Sequence, residues 1–109
     1  MTRISTHVLD AVFGKPAAGI SVRLDRLTDN GWAQLNSTAT DADGRCAALK
    51  PDADAGTYRI VFDTQDYLGR LGRTSIYPEI SITFHCDGAS HYHLPLLLSD
   101  NSYTTYRGS

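Results

Sequence analysis

Turn chemistry recurring at short spacing constrains this chain more than any other feature. It appears at Gly14-Lys15-Pro16, Asp29-Asn30-Gly31, Asp43-Gly44, Asp54-Ala55-Gly56, Asp87-Gly88 and Asp100-Asn101. Between these breaks, apolar and polar residues alternate with period two, the repeat that sends successive side chains to opposite faces of a sheet. Ile20, Val22 and Leu24 alternate with Ser21, Arg23 and Asp25, and Ile80, Ile82 and Phe84 with Ser81, Thr83 and His85. The pattern predicts strands over residues 4–10, 20–28, 32–40, 45–49, 58–63, 79–86, 91–98 and 103–107. Eight short strands with polar turns point to an all-β, antiparallel two-sheet sandwich.

One segment departs from the pattern. Tyr67, Leu68 and Leu71 recur at helical spacing, with Thr64 placed as an N-cap and Gly72 as a C′ glycine, so a helix of about two turns is expected there. Pro95, inside a predicted strand, implies an edge position, a bulge or an N–H side facing away from a partner.

The 109 residues amount to one domain, taken as 1–109. Ten Lys and Arg against twelve Asp and Glu leave a net charge of −2 with no basic stripe, which excludes nucleic acid and anionic membranes as evident partners. The longest apolar run, Leu94 to Leu98, is far shorter than the roughly 20 residues of a membrane span, and it contains Pro95. Residues 1–9 do not read as a secretory signal, and the chain does not end in Ser-Lys-Leu, so a cytoplasmic location is expected. Cys46 and Cys86 lack CxxC spacing and read as two reduced, partly buried thiols.

His91-Tyr92-His93 carries the clearest chemistry. On a strand, Tyr92, Leu94, Leu96 and Leu98 form a core face, so His91 and His93 point away from the core together. Two imidazoles on one rigid face can bind an anion or a metal, or move protons near neutral pH. A zinc site would need a further ligand, for which His7 and His85 lack diagnostic spacing. Asp41-Ala42-Asp43-Gly44 fails as an EF-hand, because setting Gly44 at position six puts Lys50 at position twelve, and it reads instead as a hairpin turn. Arg45 follows that turn and could offer a planar fork of donors. His7 shares a strand face with Ser5 and Leu9. The C-terminal Tyr103-Thr104-Thr105-Tyr106 stays strand-like almost to the chain end, the mark of a docked tail.

These segments together resemble the transthyretin-like family, and within it the 5-hydroxyisourate hydrolases. The matching pieces are Ile4-Ser5-Thr6-His7-Val8-Leu9-Asp10, Gly14-Lys15-Pro16-Ala17, Asp43-Gly44-Arg45, Tyr77-Pro78-Glu79, His91-Tyr92-His93-Leu94-Pro95-Leu96-Leu97-Leu98-Ser99 and Tyr106-Arg107-Gly108-Ser109. The terminal Tyr-Arg-Gly-Ser is the most specific, because it separates the hydrolases from their hormone-carrying relatives. The chain departs from the family at Ser99-Asp100-Asn101-Ser102, where a Pro-containing turn is more usual.

The resemblance implies a transthyretin-like sandwich with one short helix, assembled as a homotetramer whose sites lie at the dimer–dimer interface, with no metal or cofactor. The implied catalytic positions are His7, Arg45, His93 and Ser109, with His7, Arg45, His91 and Tyr106 holding substrate. The implied reaction opens 5-hydroxyisourate to 2-oxo-4-hydroxy-4-carboxy-5-ureidoimidazoline in urate degradation. A non-catalytic carrier of an aromatic ligand such as thyroid hormone is the alternative, and an interaction module without a small-molecule site a further one. Polar chemistry at His7, Arg45, His93 and the tail favours hydrolysis over both.

Overall fold

The computed structural model describes residues 2–108. Nine strands and one helix follow in chain order: β1 (Thr2–Asp10), β2 (Lys15–Pro16), β3 (Ser21–Thr28), β4 (Gly31–Ala39), β5 (Arg45–Ala53), β6 (Gly56–Phe62), α1 (Thr64–Arg70), β7 (Ile80–Cys86), β8 (Tyr92–Leu98) and β9 (Tyr103–Thr105). They form two sheets. One runs β4-β3-β6-β7; in the other, β1 is flanked by β8 and then β9 on one side, and by β5 and the short β2 on the other. Among the described residues β1 and β8 pair in parallel and every other ladder is antiparallel.

The alternation explains the layers. Ile4 and Val8 of β1, Val22 and Leu24 of β3, Ile60 and Phe62 of β6, and Leu94, Leu96 and Leu98 of β8 meet in one core between the sheets. Ile82, Phe84 and Tyr92 pack on its margin. Each such side chain is worth about 1.5–3 kcal/mol when fully buried, so the faces are fixed by their sum. Cys46 and Cys86 are both free and buried.

Three local expectations are corrected. Asp63, not Thr64, caps α1: its side chain accepts the Asp66 N–H at 3.3 Å, while Thr64 turns inward and is buried. The Asp43-Gly44 turn does not close a hairpin, because β4 and β5 belong to different sheets and the turn carries the chain from one to the other. For Pro95 only the edge option falls, because it is on an inner strand, between β1 and β9. Its carbonyl accepts the Thr105 hydroxyl at 2.8 Å, and the ladder lapses just beyond, at Tyr106 and Arg107, where a proline nitrogen has no proton to give.

Gly72 ends α1 as expected. It adopts φ of 70°, its N–H bonds to Gly69 O, and the Arg73 N–H returns to Leu68 O, the paired bonds of a Schellman motif. The 99–102 turn is closed by the Ser99 N–H on Ser102 O. From it, Asp100 takes the Arg73 guanidinium and the Asn101 side chain accepts the Ile76 N–H, so this turn anchors the segment after α1.

Candidate active site

The outer face of the five-stranded sheet carries the polar residues that β1, β5 and β8 cannot bury. Strand β1 presents Arg3, Ser5 and His7 there, since its Ile4, Thr6 and Val8 face the core. Parallel pairing puts Ser5 level with His93 of β8, and antiparallel pairing puts His7 level with Arg45 of β5. The sheet thus gathers residues far apart in sequence onto one rigid patch.

The close register of β5 depends on Gly44. It has φ of 76°, and a Cβ there would stand 2.4 Å from Val8 O. Its own carbonyl accepts the Val8 N–H at 2.7 Å. Asp41 holds the turn from within, its carboxylate accepting the Asp43 and Arg45 N–H groups at 2.9 Å each. The turn then offers the Asp43 carbonyl to His7 Nε2 at 2.9 Å. A carbonyl only accepts, so His7 Nε2 carries the proton and donates it.

A cavity of about 260 Å³ opens on this patch, lined by Arg3, Ser5, Thr6, Arg45, Ala47, His91 and His93. Ser5 Oγ lies 3.1 Å from His91 Nε2 and 2.8 Å from His93 Nδ1. Arg3 donates through Nε to Ala47 O at 3.0 Å. The tail closes one side of the patch: the Gly108 N–H donates to His93 O at 2.7 Å, continuing the antiparallel register of β9. A Cβ on Gly108 would come within 2.8 Å of His93 Cδ2, so the tail packs this near the imidazole only because the residue is glycine.

Burial lowers the proton affinity of His93 below the ordinary histidine value, and the neighbouring His7, His91 and Arg45 lower it further. His93 is therefore a neutral imidazole near pH 7, with Nδ1 held by Ser5.

The structure brings Arg45, His91 and His93 to one cavity and sets His7 on the same sheet face, opposite Arg45. Tyr106 is 54% exposed and does not line the cavity. Arg107 turns back instead, its guanidinium 4.1 Å from the Tyr92 ring centroid. Ser109 lies outside the described residues. His85 is on β7 in the other sheet, beside the Thr57 hydroxyl, and does not line the cavity. Among the described residues no three His, Cys, Asp or Glu side chains stand together as a metal site. A larger cleft of about 480 Å³ lies on the four-stranded sheet, between Arg23, Gln34, Asp63 and Glu79. Its arginine is already paired with Asp25 and it contains no histidine. Ser5, Arg3 and Gly108 were not singled out by sequence reasoning; for Ser5 the available signal was its place on the His7 face.

The sequence profile of the HIUase/Transthyretin family matches residues 4–108. The chain belongs to that family. It is 48% identical over 109 residues to a 5-hydroxyisourate hydrolase of Salmonella typhimurium, covering 97% of this chain and 80% of the relative. Among solved structures, the Klebsiella pneumoniae 5-hydroxyisourate hydrolase superposes with a TM-score of 0.89 at 36% identity, covering 100% of this chain and 94% of the other. Transthyretin from Sparus aurata superposes with a TM-score of 0.92 at 35% identity, covering 97% of this chain and 96% of the other. The HIUase/Transthyretin fold is thus shared by an enzyme and a transthyretin, and the backbone alone does not choose between them.

Proposed function

We propose that this chain is a 5-hydroxyisourate hydrolase of urate degradation, forming 2-oxo-4-hydroxy-4-carboxy-5-ureidoimidazoline by water attack on a ring amide carbonyl. The observation that carries the reading is the grouping of Arg45, His91 and His93 around one cavity, on the sheet face that also bears His7. The 48% identity to the Salmonella typhimurium hydrolase supports it.

His93 takes the proton from the attacking water. Its Nδ1 contacts Ser5, so Nε2 is the nitrogen turned to the reaction, and its lowered proton affinity keeps the ring neutral. Arg45 holds the carbonyls of the flat heterocycle and offsets charge on the oxygen as the tetrahedral centre forms. His7, steadied by the Asp43 carbonyl, keeps a second imidazole beside Arg45 and shares the proton shuttling with His93. His91 completes the substrate contacts in the cavity, Tyr106 is assigned a substrate contact in the assembled protein rather than in the single chain, and Ser109 the orientation of the water.

The competing carrier role draws support from the likeness to Sparus aurata transthyretin. An apolar ligand in this cavity would strip water from a guanidinium and two imidazoles without returning their hydrogen bonds, a penalty of several kcal/mol. That cost favours hydrolysis.

The catalytic face is open, and Val12 and Phe13 are 54% and 52% exposed on the loop after β1. Both features support a homotetramer with the sites at the dimer–dimer interface, where a second subunit covers the cavity. The free thiols of Cys46 and Cys86 support the reducing cytoplasm as its compartment.

The test follows the ultraviolet decay of freshly generated 5-hydroxyisourate in buffer, with wild-type protein and with His93→Ala. Decay accelerated in proportion to wild-type protein, and reduced by about 10²–10⁴-fold in the variant, is the expected result. Decay at the buffer rate in the presence of folded wild-type protein overturns the proposal.

A further inference from the structure

Ser5 is 5% exposed, yet its hydroxyl touches two imidazoles, His91 Nε2 at 3.1 Å and His93 Nδ1 at 2.8 Å. A serine hydroxyl has one proton to donate. It can therefore donate to only one of these nitrogens, and when both rings are neutral and both contacts are hydrogen bonds the other nitrogen must donate to it. The two rings are then locked into linked tautomers. If Ser5 donates to His93 Nδ1, the neutral His93 keeps its proton on Nε2 and has no lone pair there. If Ser5 donates to His91 Nε2, His93 carries its proton on Nδ1 and Nε2 is free to act as a base.

We propose that Ser5 is a positioning residue that selects the Nδ1-protonated tautomer of His93 and relays protons between His93 and His91. This inference rests on the hydrolase reading of the same site. The relay balances as follows. His93 Nε2 accepts a proton from the attacking water. His93 Nδ1 then passes its proton to Ser5 Oγ while Ser5 gives its own to His91 Nε2. The result is a neutral His93 protonated on Nε2, ready to donate to the leaving nitrogen, and a positive charge on His91. As Nε2 gives that proton to the leaving nitrogen, the reverse transfer from His91 through Ser5 returns a proton to Nδ1, so His93 never becomes an anion and both rings regain the starting tautomers. His91 suits the role of proton store because it is the more open of the two rings in the single chain, whereas His93 is partly buried beside Arg45.

The tautomers are read directly from the imidazole nitrogen shifts of the wild-type protein by NMR, above neutral pH and without substrate. The expected spectrum has His93 protonated on Nδ1, reverting to an Nε2-protonated ring in Ser5→Ala. Kinetically, Ser5→Ala should lower kcat by about 10- to 100-fold with little change in KM, as loss of an orienting partner of a functional imidazole does. Ser5→Thr, which keeps the hydroxyl, should restore kcat. The losses in Ser5→Ala and His91→Gln should not add in the double variant, because both break one path. A wild-type His93 protonated on Nε2, an unaltered kcat in Ser5→Ala, or additive losses would each overturn the relay. A wild-type protein that leaves 5-hydroxyisourate decay unchanged would instead overturn the hydrolase reading, and the nitrogen shifts would still decide the tautomer.

Discussion

At the scale of single residues, the proton affinity of His93 has a consequence for activity. Burial is the main cause of its depression, and the positive charge of Arg45 and the nearby His7 and His91 add to it. The acid limb of kcat/KM should therefore lie below the ordinary histidine value of about 6.5, since the free base persists to lower pH. Arg45→Gln removes one of those charges, so its acid limb should move upward, toward about 6.5, whatever the loss in rate. A pH profile of the two proteins checks this, and a limb that stays in place would count against His93 as the base. The outward direction of His91 and His93 was legible in the sequence because Tyr92, Leu94, Leu96 and Leu98 claim the other face. The contact with Ser5 was not. It depends on the parallel register of β1 with β8, and a parallel pairing between strands more than 80 residues apart leaves no trace in local alternation.

At the scale of elements, turn chemistry located the breaks but not what lay on either side of them. Asp43-Gly44 has the chemistry of a hairpin turn, and it is a sharp turn, but one that moves the chain between sheets. Nothing within four residues encodes which sheet receives the next strand. Helix α1 is legible from the spacing of Tyr67, Leu68 and Leu71 and from Gly72, whereas residue type alone puts its cap one residue late. Asp63 and Thr64 are both good caps by type, and the tie is broken by packing, since the Thr64 side chain is buried. Asp63→Ala should accordingly cost about 1 kcal/mol of stability, while Thr64→Ala should not show a capping loss. Equilibrium denaturant unfolding of the two variants distinguishes them through the midpoint at constant slope. The outer face of the four-stranded sheet carries a comparable surprise at Asp25, which alternation sets opposite the core residues yet which is buried under Arg23 and Arg59, whose hydrogen bonds hold its acidity high against the effect of burial.

At the scale of the whole molecule, Asp10 ties together parts that the sheet ladders alone leave separate. It ends β1, is fully buried, and accepts hydrogen bonds from the Tyr67 hydroxyl of α1, from Arg73 beyond that helix, and from the Val12 and Phe13 N–H groups of the following loop. Arg73 reaches on to Asp100 at the β8–β9 turn and lies 4.7 Å from the Phe13 ring centroid. One carboxylate thereby fixes the loop bearing Val12 and Phe13, which the proposed assembly would use, to the helix and to the turn before the tail. Burial pushes the Asp10 carboxyl up, but the bonds from Arg73 and Tyr67 outweigh it and hold its pKa below the ordinary aspartate value. A group depressed in the fold stabilises fully above its unfolded pKa, about 3.9, and loses that contribution as pH falls through the folded value. Asp10→Asn leaves Arg73 buried without its main partner, so at neutral pH it should cost about 3–5 kcal/mol. In wild type the same loss develops only in acid, once Asp10 itself is protonated. The stability gap between the two proteins should thus be widest near neutral pH and narrow below about pH 4, measured as the difference in unfolding free energy across a pH series. A gap that is small at neutral pH, or constant into acid, would show that the connection between β1, α1 and the β8–β9 turn is held by packing rather than by this carboxylate.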